Sequence, residues 1–348
     1  MATGPTYKPH LFYDIIGAII HIKGFIMSLD AIRSHVSDEM ERVNHLILSK
    51  LAADIPLIDT LSKHIVASGG KRIRPMLLLL TAKAFNYQGD SHILLAAIIE
   101  FIHTATLLHD DVVDDSSLRR GQITANSIWG NEASVLVGDF LFSRAFQLMA
   151  EVNSLKVISI LATASNTIAK GEVLQLINRH DTATGEARYF EVISAKTAKL
   201  FSAATQLAAV ISNQSPEIEQ QMAAFGHHLG LAFQLVDDAL DYQGDVSQMG
   251  KNIGDDLAEG KPTLPLIYTL AVGNEAEKAL IHQAIESDGS AFLPQILQAL
   301  TRNKAIEYTQ QRAQTEVTLA CKALEEVTDS PYKTALLALA DFTVSRCN

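Results

Sequence analysis

From Ser28 onward, apolar residues recur every three to four positions almost without interruption. That period marks helices with one face turned inward. It predicts helices over 28–51, 58–67, 75–85, 92–114, 131–150, 155–179, 187–213 and 216–242, with a last one opening at Asp329-Ser330-Pro331. The stops are legible too. Ser68-Gly69-Gly70 ends the second helix, Pro75 suits a first turn, and Ser215-Pro216 pairs an N-cap with a first-turn proline. No run alternates with the period of a strand, and no glycine-rich phosphate loop joins a strand to a helix. The expectation is an all-α, single-domain helical bundle over 27–348, built around a central cavity.

Composition narrows the classes. The net charge of −11 argues against a nucleic-acid binder, which needs a basic face. Cys321 and Cys347 form neither a disulfide framework nor a zinc pattern, so a reducing, cytoplasmic setting is expected. Residues 1–26 differ in composition from the rest of the chain. Their apolar stretch, from Ile15 to Met27, is broken by His21 and Lys23 and is too short to span a bilayer. It also lacks the basic start and the small-residue cleavage site of a secretory signal. Two readings stay open for it: an extension ahead of a start near Met27, or a segment that touches a membrane.

The chemistry lies in two acidic runs about 120 residues apart, Asp110-Asp111-Val112-Val113-Asp114 and Asp237-Asp238-Ala239-Leu240-Asp241. At about 100° per residue, carboxylates at i, i+1 and i+4 fall within an arc of roughly 100°. Each run therefore offers three carboxylates from one helix face. Such a cluster repels itself unless a cation enters it, and Mg²⁺ is the hard, oxygen-seeking candidate. Two clusters facing each other would clamp several Mg²⁺ ions around a diphosphate. A lone Asp-Asp-x-x-Asp is usually a solvated face. Two copies in apolar surroundings, with the basic pairs Lys71/Arg74 and Arg119/Arg120, reverse that weighting.

Further runs carry a resemblance. They are Gly69-Gly70-Lys71-Arg72-Ile73-Arg74-Pro75, Ser194-Ala195-Lys196-Thr197-Ala198, Phe233-Gln234-Leu235-Val236, Gly250-Lys251-Asn252-Ile253-Gly254-Asp255-Asp256 and Glu259-Gly260-Lys261-Pro262-Thr263. With the two acidic runs, their order and spacing resemble the trans-type polyprenyl diphosphate synthases, most of all the bacterial octaprenyl branch. The likeness runs from about residue 28 to the C-terminus. It implies an isoprenoid-synthase fold and head-to-tail addition of isopentenyl diphosphate to an allylic diphosphate, farnesyl diphosphate being the expected primer. The product would be a long all-trans chain for a quinone side chain, expected as octaprenyl, with nonaprenyl, decaprenyl or a shorter chain as the alternative.

The resemblance also implies site roles. Asp110, Asp111 and Asp114 would hold Mg²⁺ on one side, and Asp237 with Asp241 on the other. Arg119, Lys196, Gln234 and Lys261 would contact the allylic diphosphate, with Thr197 and Lys251 as weaker members. Isopentenyl diphosphate would sit on Lys71, Arg74, His103 and Arg120. Guanidinium groups suit bidentate phosphate contact, and lysine adds a mobile point charge. The family's chain-length control points to Ala105 and Thr106, with Ile102 a turn further down. Small residues there leave a long tunnel open, with Phe146 and Met149 as its floor. A homodimer and delivery of the product to a membrane are further expectations of the family.

Several residues keep plainer readings. His109 orients a neighbour, Trp129 is a packing anchor, and Asp255 and Asp256 cap a helix or add to the metal-side field. Glu172 and Gln175 face the cavity or simply pack. Other functions fit the residues less well. A terpene cyclase would replace the second acidic run with an Asn/Asp-Ser/Thr-Glu set and would not need Lys71/Arg74. A His-Asp phosphohydrolase would need more histidine ligands at matched positions. A non-catalytic subunit would have eroded acidic runs, and both are intact here.

Overall fold

The structure is a computed structural model that describes residues 27–67, 70–119, 121–243 and 253–345. The proposed 1–26 extension, Arg120 and Lys251 lie outside the described residues. Helices α1 (Leu29–Ser34), α2 (Ser37–Leu51), α3 (Pro56–Ala67), α4 (Ile73–Ala84) and α5 (Ser91–Val113) lead into a short hairpin, β1 (Leu118–Arg119) with β2 (Gln122–Ile123). Then come α6 (Ala125–Trp129), α7 (Asn131–Glu151), α8 (Leu155–Asn178) and α9 (Glu186–Ile193). A π turn over Ser194–Ala198 joins α9 to α10 (Lys199–Ile211), which precedes α11 (Pro216–Leu240). The remainder comprises α12 (Asp255–Ala258), α13 (Leu264–Val272), α14 (Glu275–Glu286), α15 (Leu293–Asn303), α16 (Ala305–Ala323) and α17 (Pro331–Ser345). The architecture is all-α, as the periodicity predicts.

The pattern of burial follows the pattern of residues. In α2, Met40, Val43, Ile47 and Leu51 form one buried stripe. In α4 the run from Met76 to Leu80 is apolar all round, and all five side chains are fully buried. Each such side chain contributes roughly 1.5–3 kcal/mol by leaving water. The centre is made by α5, α10 and α11, with α16 and α17 packed outside them. Helices α5 and α7 are each long and apolar enough to cross a membrane, but α5 is largely enclosed by its neighbours.

Three local features depart from the periodicity. The helix expected over 28–51 breaks at His35 and Val36, where Val36 leaves helical geometry at φ −136°. The helix expected over 187–213 is interrupted by the π turn, which absorbs one extra residue without stopping the helix. The hairpin follows the first acidic run and turns through Gly121 at φ +74°. Its two-residue strands are too short to show alternation.

Candidate active site

Both acidic runs end a helix. Asp110, Asp111 and Asp114 occupy the last turn and C-cap of α5, and Asp237, Asp238 and Asp241 those of α11. Helix C-termini already carry partial negative charge, so carboxylates there are doubly disfavoured without cations. The structure supplies cations to the first run. Asp111 accepts from Arg119 Nε at 2.6 Å. Asp110 lies 3.4 Å from Lys196 Nζ. Asp114 Oδ2 is 3.0 Å from Lys261 Nζ, and its Oδ1 is paired with Arg179.

The titration behaviour follows from these contacts. Burial works to raise Asp114, but Lys261, Lys196 and Arg179 hold its carboxyl below the ordinary value. Burial wins at Asp111, whose pKa is raised despite Arg119. Lys196 and Lys261 are both raised: burial alone would lower them, and the surrounding carboxylates more than offset it. Glu172 is pushed up to about 7 by burial and by the charge of Asp110.

Lys196 is the hub of this side. It sits on the π turn and reaches Gln175 Oε1 at 2.7 Å and Glu172 Oε2 at 2.6 Å, besides Asp110. Single π turns recur at functional sites because the extra residue re-aims a side chain. The reach depends on Gly171 in α8. A Cβ there would come within 2.7 Å of the Lys196 backbone nitrogen, so only glycine lets the two backbones approach this closely. Glu172 and Gln175, which the sequence leaves between packing and function, thus stand beside the acidic cluster.

The second run is organised differently. Asp238 is fully buried and accepts from Tyr189 Oη at 2.5 Å and from Gln234 Nε2 at 2.8 Å. Gln234 in turn accepts from the Thr197 hydroxyl at 2.8 Å. Burial and Asp256 push Asp238 up to about 8. Asp241 Oδ2 accepts the backbone N–H of Asp256 at 3.3 Å. Lys261 connects the two regions: besides Asp114 it pairs with Glu259 and stands 4.0 Å from Asp256 Oδ1. The structure thus gathers Asp110, Asp114, Lys196, Thr197, Gln234 and Lys261 into one polar centre.

The middle aspartates do not share the posture expected of three carboxylates on one face. Asp111 turns to Arg119 and lines a small cavity with Arg72, Glu100 and Thr104. Asp238 turns to Tyr189. Arg74 approaches His103 Nε2 at 3.1 Å and lies over the Phe201 ring. Lys71 lies over the Phe342 ring at 5.9 Å. Arg74 and His103 are thus in direct contact, while Lys71 rests against α17.

Of the chain-length positions, Ile102 and Ala105 are fully buried. The Thr106 hydroxyl donates to the His103 carbonyl at 2.8 Å. At about 100° per residue, Ala105 lies roughly 140° around α5 from Asp110, whereas Thr106 lies about 40° away. Ala105 therefore shares the side of His109, which abuts Gly138 of α7. Met149 is buried, but Phe146 is 41% exposed against Phe142, so within this chain Phe146 does not form a floor. His109 orients towards Asp139 at 3.3 Å, and Trp129 packs edge-on against His64. Both keep their plainer readings.

Sequence reasoning missed Arg179 and Tyr189, and it quoted Glu259 within a recognised run without giving it a role. Tyr189 lies close to a recognised run, but nothing in the sequence marks its partner. Arg179 lies 65 residues from Asp114, so no local spacing links the two.

Comparisons with known proteins show the family. The profile of the polyprenyl synthetase family matches residues 55–300, and the chain belongs to that family. It is 48% identical to the octaprenyl diphosphate synthase of Haemophilus influenzae over 322 residues, covering 92% of this chain and 98% of that one. It is equally similar, at 48%, to the octaprenyl diphosphate synthase of Escherichia coli, covering 92% and 99%. Among solved structures, a polyprenyl synthase from Caulobacter crescentus in complex with calcium and isoprenyl diphosphate superposes with a TM-score of 0.90 at 43% identity, covering 94% of this chain and all of the other.

Do the residues present suit a divalent cation? The donors are hard carboxylate oxygens at two electronegative helix ends, and Glu172 and Asp111 are raised first by burial and further by neighbouring aspartates, whose charge a cation would offset. Among the described residues, no three acidic or histidine side chains stand close enough together to hold an ion as they are placed. The chain's own lysines and arginines occupy the carboxylates instead. The donor set fits Mg²⁺ in kind, and loading would require Lys196 and Lys261 to give up their carboxylates.

Proposed function

We propose that this chain lengthens an allylic diphosphate, farnesyl diphosphate as primer, by repeated head-to-tail addition of isopentenyl diphosphate, and makes octaprenyl diphosphate for a quinone side chain. The observation that carries the reading is Lys196 and Lys261 standing on Asp110 and Asp114 at the acidic end of α5, in a chain nearly half identical to octaprenyl diphosphate synthases.

In this reading Asp110 and Asp114 face Asp237 and Asp241 across the leaving diphosphate, and Asp111 tethers Arg119 beside it. Bound Mg²⁺ would neutralise the charge that develops on the departing group. Lys196 and Lys261 exchange their carboxylate partners for phosphate oxygens, and Gln234 and Thr197 fix the orientation of that side. Arg119, together with Lys251, completes the allylic diphosphate site. Lys71, Arg74, His103 and Arg120 hold isopentenyl diphosphate in line. The allylic C–O bond breaks, a C–C bond forms, and a proton leaves to the released diphosphate. Apolar helix walls keep water from the cation.

Val135, Leu136 and Phe146 on α7 and Val173, Leu176 and Ile177 on α8 are exposed apolar side chains that a second copy of the chain would cover. We therefore propose a homodimer, placed in the cytoplasm, that hands its product to a membrane. Light scattering of the purified protein checks the dimer.

The function is tested by incubating the purified chain with isopentenyl and farnesyl diphosphates and Mg²⁺, and by chromatography of the dephosphorylated products. A C40 alcohol supports the reading, and absence of any elongated product refutes it. Ala105→Tyr should shorten the product. An unchanged length would remove Ala105 from chain-length control.

A further inference from the structure

Both oxygens of Asp114 are held by cations of this chain, Oδ1 by Arg179 and Oδ2 by Lys261. The two cations differ in how they are mounted. Lys261 ends a flexible stem and already shares itself among Asp114, Glu259 and Asp256. Arg179 is fixed. It is the C-cap residue of α8, and its Nη1 also donates to the carbonyl of Val113, the last residue of α5, at 3.3 Å. The next backbone N–H, of His180, donates to the Gly260 carbonyl at 2.9 Å, and the His180 ring bonds the Ile285 carbonyl at 2.6 Å. Gly260, at φ +69°, leaves no room for more: a Cβ there would collide with the His180 ring. The segment carrying Arg179 is thus bonded directly to the loop carrying Lys261.

We infer that Arg179 is a resident counter-charge that keeps the first acidic cluster from loading with divalent cation before a diphosphate arrives. The inference rests on the reading of Asp110 and Asp114 as metal-holding carboxylates. A lysine can re-aim to a phosphate; an arginine held by a helix end, a carboxylate and a docked backbone stays where it is, and its charge cannot be titrated away. It occupies one oxygen of Asp114 and repels any incoming cation. An arriving diphosphate brings negative charge that cancels this repulsion, so metal and diphosphate bind with positive coupling, and the coupling is reciprocal.

The test is a Mn²⁺ titration followed by electron paramagnetic resonance, Mn²⁺ standing in for Mg²⁺ on oxygen ligands. It is run with and without inorganic diphosphate on the full chain. Without diphosphate, Arg179→Gln should bind Mn²⁺ at least about threefold more tightly than the unmodified chain, from removal of one nearby positive charge. The gain in Mn²⁺ affinity that diphosphate confers should shrink by the same factor. Arg179→Lys, which keeps the charge, should stay near the unmodified value. Arg179→Met, which keeps the apolar stem, carries the same expectation as the glutamine variant if that one fails to fold. A purely structural helix cap would lower thermal stability and leave Mn²⁺ binding unchanged. Unchanged or weaker Mn²⁺ binding in Arg179→Gln, or equal behaviour of the lysine and glutamine variants, overturns the inference. If the unmodified chain bound no Mn²⁺ even with diphosphate, the metal-site reading itself would fall, which is a distinct result.

Discussion

The two Asp-Asp-x-x-Asp segments are copies in sequence, but their middle aspartates are met by opposite kinds of partner. In the first, carboxylates meet full positive charges: Arg119, Arg179, Lys196 and Lys261. In the middle of the second, the buried Asp238 is met by uncharged donors, Tyr189 and Gln234. Ion pairs with lysine can be exchanged for other anions at small cost. A buried carboxylate ringed by hydrogen bonds is expensive to disturb. The lysine contacts of the first cluster are built to change partners, and the middle of the second is built to hold its shape. The same five-residue pattern thus serves exchange at one helix end and anchoring at the other.

The contrast can be broken by mutation. Asp114→Ala removes the carboxylate shared by Lys261 and Arg179 and should lower kcat by about 10²–10³-fold, the scale of losing one charge-stabilising group. Asp238→Asn keeps a polar acceptor for Tyr189 and should cost far less, within about tenfold. Steady-state rates of the two variants decide the matter; equal losses would erase the distinction. Tyr189→Phe should show its effect in stability, lowering the unfolding free energy by about 1–3 kcal/mol because one oxygen of Asp238 loses its donor. Urea denaturation reads this directly, and a midpoint like that of the unmodified chain would mean Asp238 is not anchored as described.

A smaller, pH-dependent effect sharpens the account of the first cluster. Glu172 rises from an ordinary 4.5 to about 7 in the fold. Between those values the folded chain keeps a proton that the unfolded chain has released. Stability therefore falls as pH rises from about 4.5 to 7, and the loss is complete above 7. Glu172→Gln, which mimics the protonated form, should match the unmodified chain near pH 4.5. At pH 8 without metal it should be more stable by about 1–2 kcal/mol, after allowance for solvent screening. A stability difference independent of pH would show that Glu172 is not the source.

Much of this was legible in the residues. The apolar runs of α5 and α11 ending in aspartates located both acid-tipped helices, and α8 was legible to within a residue at its C-terminal end. What stayed hidden has physical reasons. The π turn shifts the helix by a single residue, too little to disturb an apolar pattern read over several turns. The break at Val36 occurs inside a stripe that continues on both sides. Three carboxylates within one arc need not point alike, because Arg119 on the hairpin pulls Asp111 away from its neighbours. Arg179 meets Asp114 only through tertiary docking, which no spacing encodes.

The bare α-carbon of Gly171 has a wider consequence. It lets α8 and the Lys196 turn run almost touching, so one short amine spans three chain segments. A methyl group there would act as a spacer, lifting the amine off Asp110 while leaving every reactive atom intact. The enzyme would then be silenced at a residue that has no functional group to lose.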